Sequence, residues 1–214
     1  MRLSYRFAPV LVIALLAAAC SGNPEPEPVP PPPPPPPPPA VDDGSRLEAA
    51  ADRICERAMA AMQSGDYTTA RELLEQVVRD YPGTTCAESA PAQIERAVAG
   101  EAIVARIHFD YNVADITDDA AETLQRKADA LRAYPEVRLR IEGHCDERGS
   151  LEYNQALGLR RAQAAMEYLG SLGIDAGRLD VVTFGEEQPL ARGSNESAWR
   201  QNRRGEFVVT DGDI

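Results

Sequence analysis

Four consecutive residues, His144, Cys145, Asp146 and Glu147, together with His108, are of the types that ligate metals or take part in hydrolysis. Successive side chains at a strand end point to opposite faces, so His144 and Cys145 do not readily share one ion, and the chain has only 2 histidines. No metal site is expected. Cleavage of a glycan needs two carboxylates about 5 to 10 Å apart, one of them with a raised pKa. Asp110, Asp146 and Glu147 are of the right type, but nothing around them supplies the apolar pocket that would keep one protonated. A glycan hydrolase is the weaker reading, and the expectation is a protein with neither catalytic residues nor a cofactor.

Asp146 and Arg161 carry opposite charges, and Asn154, Leu157 and Arg161 recur at three- and four-residue steps. On a helix such residues share one face, here turned toward the loop that holds Asp146. Two readings follow: a salt bridge tying loop to helix, which charge types alone favour, or a cleft for a ligand bearing both an ammonium and a carboxylate. In the second, Asp146 accepts from the ammonium and the planar fork of Arg161 takes the carboxylate. Arg160, Arg203 and Arg204 suggest a second anion site, but Glu187 and Glu206 are available partners and a structural role is expected.

Elements that would position these residues alternate along the C-terminal half. The pattern predicts strands over 103–109, 137–142, 179–184 and 204–209, and helices over 118–133 and 151–172. Thr117 and Ser150 are good N-caps, the first followed by Asp118 and Asp119 where negative charge favours a helix start. The expected fold is α/β, an α+β sandwich with two main helices on one face of a mixed four-stranded sheet.

The N-terminal part is of a different kind. Residues 1–19 carry Arg2 and Arg6, an apolar run from Ala8 to Leu16 and three alanines, the pattern of a secretory signal. Cys20 follows at once, in a setting that resembles the bacterial lipoprotein processing site, although Ala17 stands where that motif prefers Leu. The resemblance implies that Cys20 becomes a lipid-bearing N-terminus whose acyl chains hold the protein on a membrane; Ser21 is similar to the residue found there in lipoproteins sorted to the outer membrane. Residues 24–39 include 13 prolines, so 20–44 is expected to be an extended polyproline linker reaching on the order of 50 Å. The whole chain carries 22 basic and 34 acidic residues, and loss of residues 1–19 leaves a net charge of −14. Such a chain has no general attraction for nucleic acid.

Residues 45–100 read as helical: Leu47, Ala50, Ala51, Ile54, Ala58, Met59 and Met62 repeat at helical spacing, Ser64-Gly65-Asp66 breaks the run, and a second helix over 68–81 stops at Pro82-Gly83. The string GDYTTARELLEQVVRDYPGTTCAESA resembles one tetratricopeptide-like hairpin. A single repeat cannot bury its own core, so this segment should dock on its neighbour, pair with another protein or be marginally folded. Of the remaining cysteines, Cys55 and Cys86 are a candidate disulfide and Cys145 a candidate buried thiol.

The motifs IHFDYNVADI, IEGHCDERGSLEYNQALGLRRAQAAMEYL, VVTFGEEQPL and NRRGEFVV follow one another over 101–214 in an order that resembles the OmpA-like domain family, and DERG is similar to its peptidoglycan-associated lipoprotein branch. The resemblance implies non-covalent binding of peptidoglycan through diaminopimelate of the stem peptide. Carried over, its ligand contacts fall on Phe109, Asp110, Tyr111, Asp146, Gly149, Asn154, Leu157 and Arg161, with backbone amides of the 109–112 loop meeting carboxylates. It further implies a tether from the outer membrane, facing the periplasm, to the cell wall, and work in the Tol-Pal system beside a periplasmic β-propeller partner. The alternative is an envelope protein scaffold acting through residues 45–100.

Overall fold

A computed structural model describes residues 43–214. The expected signal segment, Cys20 and most of the proline linker lie outside the described residues. Three helices come first, α1 (Asp43–Gln63), α2 (Tyr67–Asp80) and α3 (Thr85–Val104). Then follow β1 (Ile107–His108), α4 (Asp118–Ala133), β2 (Arg138–His144), α5 (Leu151–Ser171), a 3-10 turn at Ala176–Arg178, β3 (Leu179–Gly185), α6 (Glu196–Asn202) and β4 (Arg204–Asp211). None of the described helices is long and apolar enough to cross a membrane.

The four strands form one mixed sheet in the order β1-β4-β2-β3, with β2 and β3 parallel and β4 antiparallel to both β2 and β1. Alternation along β2 and β4 sends Leu139, Ile141 and Phe207 into the core. Leu124, Ala128 and Leu131 of α4 and Ala162, Ala165 and Leu169 of α5 pack against them. Both helix starts are capped as their sequences suggest, Thr117 accepting from the amide of Ala120 and Ser150 from that of Tyr153.

Two glycines fix the distance between α5 and the sheet. A Cβ on Gly143 would lie 1.8 Å from the carbonyl oxygen of Gly158, and one on Gly158 would lie 2.4 Å from the Thr183 hydroxyl. The helix therefore rides on β2 backbone to backbone, and every residue of α5 further toward the site is placed by that contact.

The first expected strand is corrected. Residues 103 and 104 close α3 instead, leaving β1 only two residues long. The cause is Lys127 on α4: fully buried, its ammonium donates to the carbonyls of Ala102 (3.1 Å), Ala105 (3.0 Å) and Ile103, and lies 3.7 Å from the centre of the Phe207 ring. A cation there satisfies carbonyls that a helix end leaves open, so the helical state of residues 101–104 is favoured over extension of the sheet. Burial pushes the Lys127 ammonium well below its ordinary pKa, against the pull of these three oxygens.

The helical segment docks on the sheet-bearing part. Tyr67 lies against Gly100, where a Cβ would meet the ring at 2.3 Å, and joins the same core as Ile103 and Ile107. Arg96 on α3 donates to the carbonyl of Ile214. Within the segment Cys55 and Cys86 form a disulfide between α1 and α3, and Cys145 is a buried free thiol. α6, absent from the sequence-based expectation, is a short helix capped by Asn195.

Replacing Gly143 by Ala is expected to cost about 3 kcal/mol, the upper end for overpacking. Gly170→Ala, whose Cβ would meet nothing within 4 Å, is expected to be neutral or mildly stabilising. Urea denaturation of both variants checks this, and equal midpoints would show that the β2–α5 contact is not tight.

Candidate functional site

The ends of β2 and β1 and the start of α5 enclose a small cleft lined by Tyr111, Asn112, Cys145, Asp146, Arg148, Asn154, Leu157, Arg161 and Arg203. Of the residues expected to contact a ligand, Tyr111, Asp146, Asn154, Leu157 and Arg161 line it directly. Phe109 and Asp110 do not line it: their carbonyls accept from Arg203 and Arg161, two of its walls, while Gly149 lies in the loop beside it with a φ of +125°, a conformation that side chains other than glycine rarely adopt.

Asn154, in the first turn of α5, donates from its amide to the carbonyls of Asp146 (3.2 Å) and Arg148 (3.3 Å). It holds the 146–149 loop in shape. The Cys145 thiol donates to the carbonyl of Asn154 at 3.3 Å, and burial pushes its pKa up. Burial outweighs the charge of nearby Arg161, so this is a packed thiol without the exposure of a reactive one.

Asp146 and Arg161 do not pair. Arg161 is 1% exposed and directs its guanidinium at backbone: Nε to the carbonyl of Val113 (3.0 Å), Nη2 to that of Asp110 (3.0 Å), and Nη1 to that of His144 (2.7 Å) and the Cys145 sulfur (3.4 Å). Four of the five N–H donors of a guanidinium are thereby taken, so the two-pronged grip on a carboxylate expected of this side chain is not open to it in this arrangement. The simple loop-to-helix salt bridge between the two residues is likewise not formed.

Asp146 turns instead to Arg148, which meets it at 2.6 Å and 3.0 Å through two nitrogens, and to Arg203 at 3.2 Å. Burial works against ionisation of Asp146, but hydrogen bonds from Arg148 and Arg203 outweigh it and hold the carboxyl below its ordinary pKa. Hydrogen bonds from Ser194 and Trp199 do the same for Glu147. Neither carboxyl is set up as the protonated acid that glycan cleavage requires.

Arg203 was expected to serve structure alone. It does bind Glu196 (2.8 Å) and the carbonyl of Phe109 (3.1 Å), but its contact with Asp146 also makes it a wall of the cleft. Arg204 pairs with Glu206 at 3.2 Å as expected, whereas Glu187 is met by Gln155 and no arginine. Arg160 is exposed, 5.9 Å from the Tyr153 ring centre.

Sequence reasoning passed over Arg148 and Trp199. The guanidinium carbon of Arg148 lies 4.0 Å from the centres of both the Tyr111 and the Trp199 rings. Arg148 was visible in the DERG string, but Trp199 depends on α6, and its approach to a residue 51 positions earlier leaves no local pattern.

The metal question has a geometric answer of its own. His144 is fully buried and faces Glu142 (3.7 Å) and Glu206 (3.6 Å), away from Cys145. Burial first, and then Arg204, push its pKa down to about 4. The two glutamates are already met by Arg140, Arg106 and Arg204, which leaves no excess negative charge to draw a cation. His108 sits on another strand, exposed.

Residues 108–203 match the model of the OmpA family. The chain is 46% identical over 104 residues to the peptidoglycan-associated lipoprotein of Agrobacterium fabrum, an alignment covering 49% of this chain and 59% of that protein. It is 44% identical over 98 residues to the protein of the same name from Haemophilus influenzae, covering 46% of this chain and 64% of the other. The chain thus spans about 59% to 64% of the length of these relatives. Among solved structures, the peptidoglycan-associated lipoprotein from Burkholderia pseudomallei is similar, with 37% identity, a TM-score of 0.48, and coverage of 49% of this chain and 89% of that one. Residues 108–203 are an OmpA-family domain, in a chain related to the peptidoglycan-associated lipoproteins.

Proposed function

We propose that this chain is an outer-membrane lipoprotein that holds peptidoglycan without cleaving it, by gripping diaminopimelate of the stem peptide in the cleft around Asp146. The side-chain end of diaminopimelate carries an ammonium and a carboxylate on one carbon, so the site needs a fixed negative charge beside donors for an anion. The observation that carries the reading is Asp146 itself: 3% exposed, kept ionised by two arginines, and lining a small cleft together with the exposed Tyr111.

In this proposal Arg161 acts chiefly as a positioning residue. Its bonds to the carbonyls of Asp110 and Val113 hold the 110–113 loop so that the amides of Tyr111 and Asn112 would meet a carboxylate, the Phe109 amide being taken by the carbonyl of Arg203 at 3.0 Å, and one remaining N–H of Arg161 would complete the anion contact. Tyr111, 57% exposed, offers a ring face to the aliphatic stem of the ligand. The names of the relatives support the ligand class.

The remainder of the assignment rests on the sequence and on those relatives. Lipid at Cys20 would fix the protein to the membrane, the proline linker would lift it into the periplasm, and residues 45–100, joined by α3 to residues 101–214, would serve as a spacer. A role in the Tol-Pal system, with a periplasmic β-propeller as partner, follows from the resemblance.

The test is co-sedimentation of fragment 43–214 with purified sacculi. Asp146→Ala is expected to weaken binding at least tenfold, about 1.4 kcal/mol, with an unchanged circular dichroism spectrum. Because Asp146 is held below its ordinary pKa, binding by the unmodified fragment should persist as pH falls from 7 to about 4, where an unshifted aspartate would be partly protonated. Undiminished pull-down of the Asp146 variant would remove this cleft as the peptidoglycan site.

A further inference from the structure

Resting on the proposed function, we infer that Tyr111, Trp199 and Asp146 form a cage for an alkylammonium group, and that in the free protein the cage is filled by the chain's own Arg148. Three features meet at this one residue, two through its guanidinium and one through its backbone. It makes two bonds to the carboxylate of Asp146, at 2.6 Å and 3.0 Å. It stacks on two aromatic rings, each centred 4.0 Å from its carbon. Its backbone amide donates to Asp146 as well, at 3.1 Å, so the loop presents the side chain back onto the carboxylate two residues earlier.

Aromatic faces with a carboxylate at their base are what a desolvated cation prefers, because the ring quadrupoles and the fixed charge attract it together. Tyr111 comes from the loop after β1, Asp146 from the end of β2 and Trp199 from α6, so three separate elements converge on one small space. α6 is itself anchored there: the Trp199 indole donates to Glu147 at 3.2 Å, and Arg203, just after the helix, binds both Glu196 and Asp146. An aliphatic ammonium entering from solvent meets a site whose cation is already present.

Binding is thus an exchange. The incoming ammonium takes Asp146 and Arg148 leaves toward solvent, where its side chain is already 28% exposed. Asp146 keeps Arg203 throughout, so it stays ionised while the exchange occurs. Arg148 lowers affinity for any ammonium ligand and, for the same reason, rejects cations too weak to displace a guanidinium.

Trp199 is the chain's only tryptophan, so its fluorescence reports the cage directly. The full chain would be titrated with two synthetic stem tripeptides, one containing diaminopimelate and one containing lysine, which has the ammonium without the neighbouring carboxylate. Arg148→Ala is expected to bind both about fivefold more tightly, the order of one exposed cation–π contact, and to show altered emission before any ligand is added. Phe in place of Trp199 in the Arg148→Ala background, read by calorimetry, is expected to remove part of the gain. Unchanged or weaker binding of both peptides by Arg148→Ala overturns the inference and leaves the peptidoglycan assignment standing. Weaker binding of the diaminopimelate peptide alone also overturns it, by making Arg148 a carboxylate partner. Failure of the unmodified chain to bind either peptide or sacculi overturns both readings.

Discussion

A buried guanidinium bonded to carbonyls holds the site together. Arg161 brings a full charge to a position 1% exposed, where it is tolerable only because carbonyl dipoles surround it. Those carbonyls belong to residues 110, 113 and 144, so one side chain joins the loop after β1 and the end of β2 to α5. Its reach is set in turn by the glycine contact at 143 and 158, three residues before it on the helix. If α5 stood further from β2, as a Cβ at either position would require, the fork would not reach its carbonyls and the cleft would lose its floor. The construction makes a small, polar recess with an ionised carboxylate.

The connection to the helical segment follows the same logic with a different cation. Lys127 gathers the last carbonyls of α3 and stacks on Phe207, which binds the end of that helix to both α4 and β4. Tyr67 against Gly100 and Arg96 against Ile214 extend the junction. A lone helical hairpin is too small to bury its own core. Here a third helix makes up the difference: the three helices bury clusters of their own, around Val77 and the Cys55–Cys86 disulfide and around Leu74, and Tyr67 and Ile103 join them to the core of the sheet-bearing part.

Much of this was legible in the residues. β2, α4 and α5 follow from clear periodicity and good caps, and the fold class from their alternation. The cleft could be anticipated because Asn154, Leu157 and Arg161 lie on one helical face. What escaped had physical causes. Residues 103–109 alternate well enough for a strand, but a lysine 24 positions after Ile103 decides for helix, and no local pattern records that contact. α6 is only seven residues, too short for a periodic signal. Charge types name possible partners and left both a bridge and a ligand cleft open for Asp146 and Arg161, whereas the choice of Arg148 and Arg203 as the partners of Asp146 is made by packing.

A zwitterionic stem peptide entering at Asp146 would meet the amides of the loop after β1, around Tyr111 and Asn112. Backbone amide chemical shifts of fragment 43–214, followed by NMR as the diaminopimelate tripeptide is added, test it most directly. The account requires shifts concentrated at residues 109–113, 146–149 and 199–203, saturating together with one affinity. Shifts centred instead on α1 and α2, or none at saturating peptide, would contradict it.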